Sequence, residues 1–417
     1  MVCDNRRTSA GIRPTPDRTP DRHSTIQEKR VSSPNTGPQY PPPGDWPAPQ
    51  TSSGQAGPNG ASPAAAPAGR AAAGANAESA ALLHQAIGQV QRVIVGQEHM
   101  VEQLMVGLLA KGHILLEGVP GVAKTLAVRS FATVVGGEFS RIQFTPDLVP
   151  SDIVGTRIYR ASQEKFDVEL GPVFVNFVLA DEINRAPAKV QSAMLELMAE
   201  GQVSIGGETH KLPKPYIVIA TQNPVESEGV YPLPEAQRDR FLLKVDVPYP
   251  RGNEEFEILR RMSVEPPEAT PVLDPEKIRA LQKKAQDVFV HNLVAEYIVR
   301  LVMATRTPNE FNLPDLASVI QIGCSPRATL GLVAASRALA LIHGRDYVLP
   351  TDVQAVARDV MAHRIVLGFD AVADNVDTSQ VIERILATVP PPTPVWNSGQ
   401  RSSTGQQLQP YGAQSYR

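Results

Sequence analysis

The segment from His113 to Thr125, HILLEGVPGVAKT, constrains this chain more than any other. It runs from an apolar strand through a glycine-bearing loop to Lys124 and Thr125, which open a helix. Such a loop turns its backbone N–H groups toward phosphate, the lysine adds a positive charge, and the threonine hydroxyl offers a ligand to Mg²⁺. The segment therefore predicts a site for a nucleoside triphosphate. Taken alone, it also fits an ordinary strand–turn–helix with a solvated lysine.

One residue of this loop departs from the strict phosphate-loop pattern. The residue before Lys124 should be glycine and is Ala123, whereas Gly118 and Gly121 are kept and Pro120 stiffens the turn between them. We predict that Ala123 lies in the first helical turn, where a positive φ is not needed and an alanine therefore costs little.

Length and composition exclude several classes of protein. At 417 residues the chain has room for two to three domains. Its net charge is −3 and it has no basic domain, so nucleic acid is not expected as a partner. Two cysteines, Cys3 and Cys324, make no disulfide framework and favour a reducing compartment, the cytoplasm. The sequence contains no run of about 20 apolar residues, so no membrane span is predicted. The N-terminus lacks the apolar core of a signal peptide, so secretion is not expected.

Two tails flank a globular region. Residues 1–78 and 390–417 are rich in small and polar residues and in proline, with few large aliphatic side chains. Such segments bury too little apolar surface to offset their ordering entropy, so both are predicted to be disordered.

The region between the tails has an alternating pattern of strands and helices. Helical spacing covers residues 81–110, and apolar strands are predicted at Ile114–Glu117, Arg141–Phe144, Phe177–Ala180 and Ile217–Ala220. Alternation of this kind indicates an α/β fold with a parallel sheet covered on both faces, in which ligands bind at the carboxyl ends of the strands. Residues 79–250 are assigned to this domain.

After Pro250 the strand signal disappears. Asp274 and Ser325, each followed by proline, have the signature of helix N-caps, and Thr351 before Asp352 resembles it. A last helix is predicted at Thr378–Thr388 from its apolar spacing. Residues 251–389 are therefore predicted to form an all-helical second domain.

Two acidic residues end a buried strand, at Asp181 and Glu182. Asp181 is predicted to hold Mg²⁺ and Glu182 to polarise the attacking water as general base. Two solvated acids at a strand end are the alternative. Asn223 follows the next apolar strand and is placed to orient water or contact the γ-phosphate, although Asn-Pro also begins ordinary turns.

Three arginines are candidates for contacts with phosphate. Arg240, with Arg238 as its rival, follows a short helix and could present a guanidinium to a neighbouring subunit's γ-phosphate; a surface ion pair to Asp239 or Glu235 is the alternative. Arg327 falls in the first turn of the helix that Ser325 caps, where the helix dipole disfavours a cation. This position suggests an anion opposite Arg327, which a bound phosphate would supply, although an arginine extending into solvent costs little.

Taken in order, these elements resemble the AAA+ ATPases and, within them, the MoxR family. The motifs that carry the resemblance are GVPGVAKT, FVLADEINRAP, IVIATQNPVE, LPEAQRDRF and GCSPRA. They span roughly residues 82–389, and the alanine before Lys124 is similar to a form common in MoxR proteins. The resemblance implies an AAA+ core of αβα type followed by a helical lid, and an ATP hydrolase that uses ATP and Mg²⁺.

The resemblance also implies roles for individual residues. Asp181 and Glu182 would be the Walker B pair, Asn223 sensor 1, Arg240 the arginine finger and Arg327 sensor 2, with Thr125 and Asp181 at the metal. The residues that would contact the nucleotide are Gly96, Gln97, Gly118, Val119, Pro120, Gly121, Val122, Ala123, Lys124, Thr125 and Leu126. Two β-hairpins are expected, Thr156–Tyr159 with Phe166–Glu169 and Gln202–Ile205 with Thr209–Leu212, of the kind that commonly projects into a ring's pore.

Partners follow from the resemblance alone. It implies a homo-hexamer, a client protein that is remodelled or receives a metal cofactor, and a partner with a von Willebrand factor A domain. A metal-chelatase motor subunit and a DNA-associated motor of related architecture are the alternatives. Against the DNA motor, the sequence has no helix-turn-helix addition, zinc-ligand spacing or basic stripe.

Overall fold

The computed structural model describes residues 69–162, 164–224, 229–263 and 267–392. All of them belong to one compact unit. Within these ranges no helix has the length and apolar character needed to cross a bilayer. The predicted disordered tails lie mostly outside the described residues. Helix α1 begins at Gly69, inside the first predicted tail, because the alanine-rich stretch that follows favours helix.

Strands and helices alternate up to residue 247, after which helices dominate. The strands are β1 (Ile114–Gly118), β2 (Phe139–Gln143), β3 (Gly155–Arg160), β4 (Lys165–Leu170), β5 (Phe177–Asp181), β6 (Gln202–Ile205), β7 (Glu208–Lys211), β8 (Ile217–Gln222), β9 (Leu243–Val247), β10 (Ile320–Ile322) and β11 (Val366–Leu367). The α-helices are α1 (Gly69–Val93), α2 (Glu98–Leu109), α3 (Lys124–Val135), α4 (Pro150–Val154), α5 (Ala188–Glu200), α6 (Glu235–Arg238), α7 (Gly252–Met262), α8 (Pro275–Asp287), α9 (Asn292–Ala304), α10 (Leu316–Val319), α11 (Pro326–Ile342), α12 (Pro350–Met361), α13 (Phe369–Ala373) and α14 (Thr378–Thr388).

A five-stranded parallel sheet positions the site, as the sequence predicts. Its order is β2-β5-β8-β1-β9, and every pair of neighbouring strands is parallel. All five residues of β5 are buried, which explains its continuous apolar run. Gln143 of β2 lies in register with Asp181 of β5, and Ile114 of β1 with Leu243 of β9.

The helix predicted over residues 81–110 is two helices. α1 ends at Val93 and α2 begins at Glu98, with a break over residues 94–97. Gly96 has φ +74°, a left-handed conformation that interrupts a helix and that glycine adopts without strain. Apolar residues keep their helical spacing through the break, so the sequence pattern does not indicate the interruption.

Both predicted hairpins form, as antiparallel pairs outside the main sheet. β3 pairs with β4 and β6 with β7, in the registers Tyr159 to Phe166 and Ser204 to Thr209. On the first hairpin Tyr159 and Phe166 are about half exposed and their rings lie 5.1 Å apart.

The second part of the chain is helical, but it is not all helix. Strands β10 and β11 form a short antiparallel ribbon that local spacing does not signal, because each has only two or three residues. The caps at Asp274 and Ser325 are confirmed: each side chain accepts a hydrogen bond from a backbone N–H of the first turn. The cap predicted at Thr351 is wrong, since α12 already begins at Pro350 and Asp352 accepts from Leu349 N–H.

The apolar core does not stop at the predicted domain boundary. One cluster joins the sheet and its covering helices to the later helices, from Leu104 and Val245 to Leu332 and Val360. The division into residues 79–250 and 251–389 therefore marks a change in element type within a continuous core, and stays a prediction as a division into domains.

Candidate active site

The carboxyl ends of the interior strands meet at one edge of the sheet and enclose a cavity of about 380 Å³. Ligand sites of parallel α/β sheets lie at this edge. The residues that line the cavity are Pro120, Gly121, Val122, Ala123, Lys124, Thr125, Leu126, Arg141, Asp181, Glu182, Thr221, Gln222 and Asn223. The structure thus brings together most of the predicted nucleotide-contacting loop, both acidic residues and Asn223.

The loop delivers a helix N-terminus and a lysine to this cavity. α3 begins at Lys124 and runs for 12 residues, so its first N–H groups and its dipole favour an anion here. The Lys124 ammonium donates to the backbone carbonyls of Gly118 and Val119, which precede the cavity-lining part of the loop. Its flexible stem lets the same ammonium turn to a phosphate.

Ala123 contradicts the prediction made for it. Its φ is +62° and ψ +21°, so it is left-handed and lies at the N-cap of α3, not inside the first helical turn. The loop must reverse direction sharply to present its N–H groups, and that reversal needs positive φ at both Gly121 and Ala123. A left-handed conformation costs an alanine about 1–2 kcal/mol.

Replacing Ala123 by glycine should therefore stabilise the chain. Relief of about 1–2 kcal/mol of strain outweighs the extra entropy that glycine loses on folding, about 0.5–1 kcal/mol. We expect a rise in melting temperature of about 1–3 °C, measured by calorimetry. Gly121→Ala is the matched control: φ is +86° there and no atom lies within 4 Å of the added Cβ, so this change should lower the melting temperature through strain alone. Equal melting temperatures for Ala123→Gly and the parent would contradict the strain.

Thr125 and Asp181 form an oxygen pair that suits Mg²⁺. The Thr125 hydroxyl donates to Asp181 Oδ2 over 3.2 Å. Two adjacent ligands in an octahedron with bonds of about 2.1 Å lie roughly 3 Å apart, which this pair matches. Asp181 is buried, and its second oxygen accepts from the Thr221 hydroxyl over 2.6 Å, which fixes the carboxylate plane.

Arg141 is a site residue that the sequence did not single out. From β2 its guanidinium contacts Asp181 Oδ2, at 2.9 Å from Nε and 2.7 Å from Nη2, and it lines the cavity. Only the strand order, which puts β2 beside β5, reveals this neighbour. The Asp181 carboxylate thus has a cation, Arg141, beside it in this structure. A bound Mg²⁺ would either share the carboxylate with Arg141 or displace the guanidinium.

Glu182 extends from the strand end in a constrained conformation. Its φ is +56°, which is uncommon for a residue other than glycine and clusters at functional sites. Its N–H donates to the Thr221 hydroxyl over 2.8 Å, so one threonine orients both acidic residues. The Glu182 carboxylate accepts from Gln143 over 2.8 Å and pairs with Arg185 over 3.1 Å. Only the strand order brings Gln143 to Glu182, whereas Thr221 lies near the end of β8, two residues before Asn223.

Gly96 and Gln97 do not line this cavity. Gln97 is buried and its side-chain amide donates to the carbonyl of Pro248, while Gly96 packs against the Glu254 side chain too closely to admit a Cβ. Through these contacts, the loop between α1 and α2 packs against the residues that follow β9. Their contact with adenine stays a prediction.

The three arginine candidates lie elsewhere. Arg240 precedes β9, and the N–H of Leu242 donates to the carbonyl of His113, at the amino end of β1. The phosphate loop leaves the carboxyl end of the same strand, about 16 Å away at 3.3 Å per residue. Arg240 is exposed, and its guanidinium donates to the carbonyl of Leu195, so it does have a partner within the subunit.

Arg238 and Arg327 also have partners within the chain. Arg238 pairs with Glu235 over 3.7 Å. Arg327 lies in the first turn of α11 as predicted, and the anion opposite it is the Asp239 carboxylate, 3.4 Å away. Asp239 immediately precedes Arg240, so Arg327 and Arg240 lie on the same side of the molecule.

Comparison with known proteins identifies the family. Residues 113–243 match the ATPase family associated with various cellular activities (AAA), and residues 316–385 match the AAA lid domain. The chain is 57% identical over 346 residues to Chaperone MoxR1 of Mycobacterium tuberculosis, covering 83% of this chain and 92% of that protein. The chain belongs to the MoxR family of AAA+ ATPases.

Two further relatives agree with this assignment. The Protein MoxR of Methylorubrum extorquens is 33% identical over 67% of this MoxR chain and 86% of its own length. A crystal structure of a candidate ATPase from Cytophaga hutchinsonii is 44% identical, with a TM-score of 0.73, over 78% of this chain and 99% of its own. This member of the MoxR family is thus an AAA+ enzyme that hydrolyses ATP, as its motifs predict.

Proposed function

We propose that this MoxR protein binds Mg²⁺–ATP in the cavity at the carboxyl edge of its sheet and hydrolyses it within a cytoplasmic ring, with six subunits as the expected number. Lys124 and the N-terminus of α3 hold the phosphates, and Thr125 and Asp181 hold the metal. When bound, Mg²⁺ would neutralise negative charge on the phosphates. Glu182 orients and polarises the attacking water, and Asn223 assists at the end of β8.

The observation that supports a ring is the separation of the two halves of the site. The phosphate-binding residues lie at the carboxyl edge of the sheet, whereas Arg240 and Arg327 lie on the side of its amino edge. An arginine about 16 Å away across the sheet does not reach the phosphates of its own subunit. In a head-to-tail ring, one face of each subunit meets the opposite face of the next, so these arginines would complete the neighbour's site.

The work done by the ring is proposed from family membership. We infer that hydrolysis moves the helical part, residues 251–389, against the core through the Pro250–Gly252 segment. The client would be a protein that is remodelled or receives a metal cofactor, with a von Willebrand factor A domain protein as partner. The half-exposed Tyr159 and Phe166 on the first hairpin offer an apolar grip for a client chain.

Assembly is the experiment that tests this proposal. ATPase activity per subunit should rise with protein concentration over the range in which sedimentation in ATP shows a ring forming. Lys124→Ala, which loses phosphate binding, should not assemble in response to ATP. A chain that stays monomeric with ATP and hydrolyses it at a constant specific rate would overturn the proposal.

A further inference from the structure

The residues just before β9 are held by an unusually complete set of hydrogen bonds from the helical part of the chain. Arg364, whose side chain is only 3% exposed, lies directly after α12 in a short 3-10 helix. Its Nε donates to Asp239 Oδ1 over 2.8 Å, and Nη2 donates to the carbonyls of Asp239 and Phe241 over 3.3 and 2.6 Å. Its Nη1 donates to the carbonyls of Leu242 and Val360.

This network uses every N–H that a guanidinium has to offer. Three of its acceptors are backbone carbonyls of residues 239–242, so the bonds fix the path of that short stretch and not merely one side chain. The neighbouring His363 adds a contact to the carbonyl of Phe241 over 3.1 Å. The stretch that they hold contains Arg240.

Asp239 gives this buried network a second connection. Its carboxylate also accepts from the Ser325 hydroxyl, 3.0 Å from each oxygen, and pairs with Arg327 over 3.4 Å. The Asp239 side chain is 19% exposed and that of Arg327 is 54% exposed. One carboxylate therefore joins a buried, fully bonded arginine to an exposed one, while its own backbone leads directly into Arg240.

Charge balance indicates what this arrangement is for. Arg327 and Arg364 share the Asp239 carboxylate, and Arg240 follows Asp239 in the chain with its guanidinium on the carbonyl of Leu195. One carboxylate does not balance both Arg327 and Arg364, and the Leu195 carbonyl that Arg240 contacts carries no charge, so the two exposed arginines add positive charge to the face opposite the subunit's own phosphate loop. Such a face suits a polyanion presented by another molecule.

We propose that Asp239 is a positioning residue that sets Arg240 and Arg327 together as a two-arginine unit for the triphosphate of the adjacent subunit, with Arg364 as its buried anchor. This inference rests on the proposed ring. Asp239 contacts no reacting atom: its backbone fixes where Arg240 starts, and its carboxylate keeps Arg327 within reach. The sequence offers no signal for the role, because Ser325, Arg327 and Arg364 are distant from Asp239 along the chain.

The test uses rings mixed from two defective chains. Asp239→Asn keeps an oxygen for Arg364 but removes the charge that holds Arg327, so alone it should hydrolyse ATP at least tenfold more slowly while binding one ATP per subunit with unchanged affinity. Glu182→Gln lacks the general base but keeps both arginines. In a mixture of equal parts, about a quarter of random interfaces pair an intact base with an intact arginine unit, so activity should return to about a quarter of the parent's.

Controls separate this inference from the ring itself. Arg240→Ala mixed with Glu182→Gln should recover in the same way, whereas Asp181→Asn mixed with Glu182→Gln should not, because both defects lie on the same side of the interface. If Arg240→Ala recovers and Asp239→Asn does not, the role of Asp239 is wrong and the ring stands. If neither recovers, the adjacent-subunit geometry itself fails.

A second variant tests the same role without disturbing the buried side chains. Arg327→Met leaves the buried Asp239–Arg364 pair intact and removes only the exposed partner. It should lower hydrolysis without lowering ATP affinity and should also recover on mixing with Glu182→Gln. A fall in the number of ATP sites per subunit for Asp239→Asn, without loss of rate at the remaining sites, would show that the residue is only structural and would overturn the proposal.

Discussion

Replacing Glu182 by glutamine is expected to leave ATP bound and to stop its hydrolysis. The amide keeps the size of the side chain and an oxygen that can accept a hydrogen bond from Gln143, but it loses the charge that pairs with Arg185 and no longer accepts a proton. A positioned base contributes about 10²–10⁴ in rate, so single-turnover hydrolysis should slow by that factor. ATP affinity, measured with a fluorescent analogue, should stay within a few-fold, because Lys124, Thr125 and Asp181 are unchanged.

Glu138→Gln is the matched control for this prediction. Glu138 is an exposed glutamate just before β2, at the amino end of that strand and therefore across the sheet from the cavity. Its loss should not change the rate. Hydrolysis by Glu182→Gln at the parent's speed would show that another group activates water.

The same variant offers a route to the client. With ATP bound and hydrolysis stopped, the ring should stay in its client-bound state, so affinity capture with Glu182→Gln should retain a protein that the parent chain releases. Lys124→Ala, which does not bind ATP, is the control. A protein captured equally by both variants is not a client of the ATP-driven cycle.

The sequence predicted the parts of this site that depend on local pattern. The phosphate loop, Asp181 and Glu182 and Asn223 each follow an apolar strand, and parallel strands bring their carboxyl ends to the same edge. Local signals of helix capping were equally informative at Asp274 and Ser325, because the cap and the N–H groups it satisfies are neighbours in the chain.

Other parts of the site depend on which strands lie side by side. Arg141 and Gln143 reach Asp181 and Glu182 only because β2 is the neighbour of β5, and no spacing along the chain encodes that order. The anion beside Arg327 in this structure is Asp239, almost ninety positions earlier in the chain, and a contact of Arg327 with phosphate stays a prediction. These are contacts between distant segments, which periodicity and turn signals do not report.

Backbone conformation was the other source of error. Ala123 adopts a left-handed conformation that an alanine normally avoids, so its residue type argued for the wrong geometry. The surrounding loop imposes that conformation because it must bend its N–H groups inward. The sequence did not predict the break at Gly96, because glycine permits a positive φ without requiring it. The apolar spacing on either side of Gly96 also remained helical.

Replacing Arg240 by alanine should have the other large effect on hydrolysis. Its guanidinium is exposed on the side of the molecule opposite the phosphate loop, so its removal leaves the subunit's own ATP contacts intact. An arginine that meets developing charge on a transferring phosphoryl group contributes about 10³–10⁵ in rate. We expect a fall in kcat of at least a thousandfold with an unchanged affinity for ATP.

Arg238→Ala decides between the two rival fingers. Arg238 is one-third exposed and pairs over 3.7 Å with Glu235 on the same short helix, so it has an ion-pair partner within its own subunit. Its loss should reduce the rate by less than tenfold if Arg240 is the finger. Arg260→Ala, which removes an exposed arginine paired with Glu257 on α7, should have no effect.

The loss of rate in Arg240→Ala must be measured on assembled rings, because a failure to assemble would also lower the rate. Loss of the finger should not prevent ring formation, because the exposed guanidinium contributes one hydrogen bond, to Leu195 of its own subunit. Sedimentation in ATP should therefore show rings that bind nucleotide and do not turn it over. A finger acting on its own subunit would instead give a rate independent of protein concentration. A full rate from Arg240→Ala together with a thousandfold loss from Arg238→Ala would assign the finger role to Arg238. Full rates from both variants would contradict the prediction that an arginine from this face takes part in hydrolysis at the adjacent subunit's site.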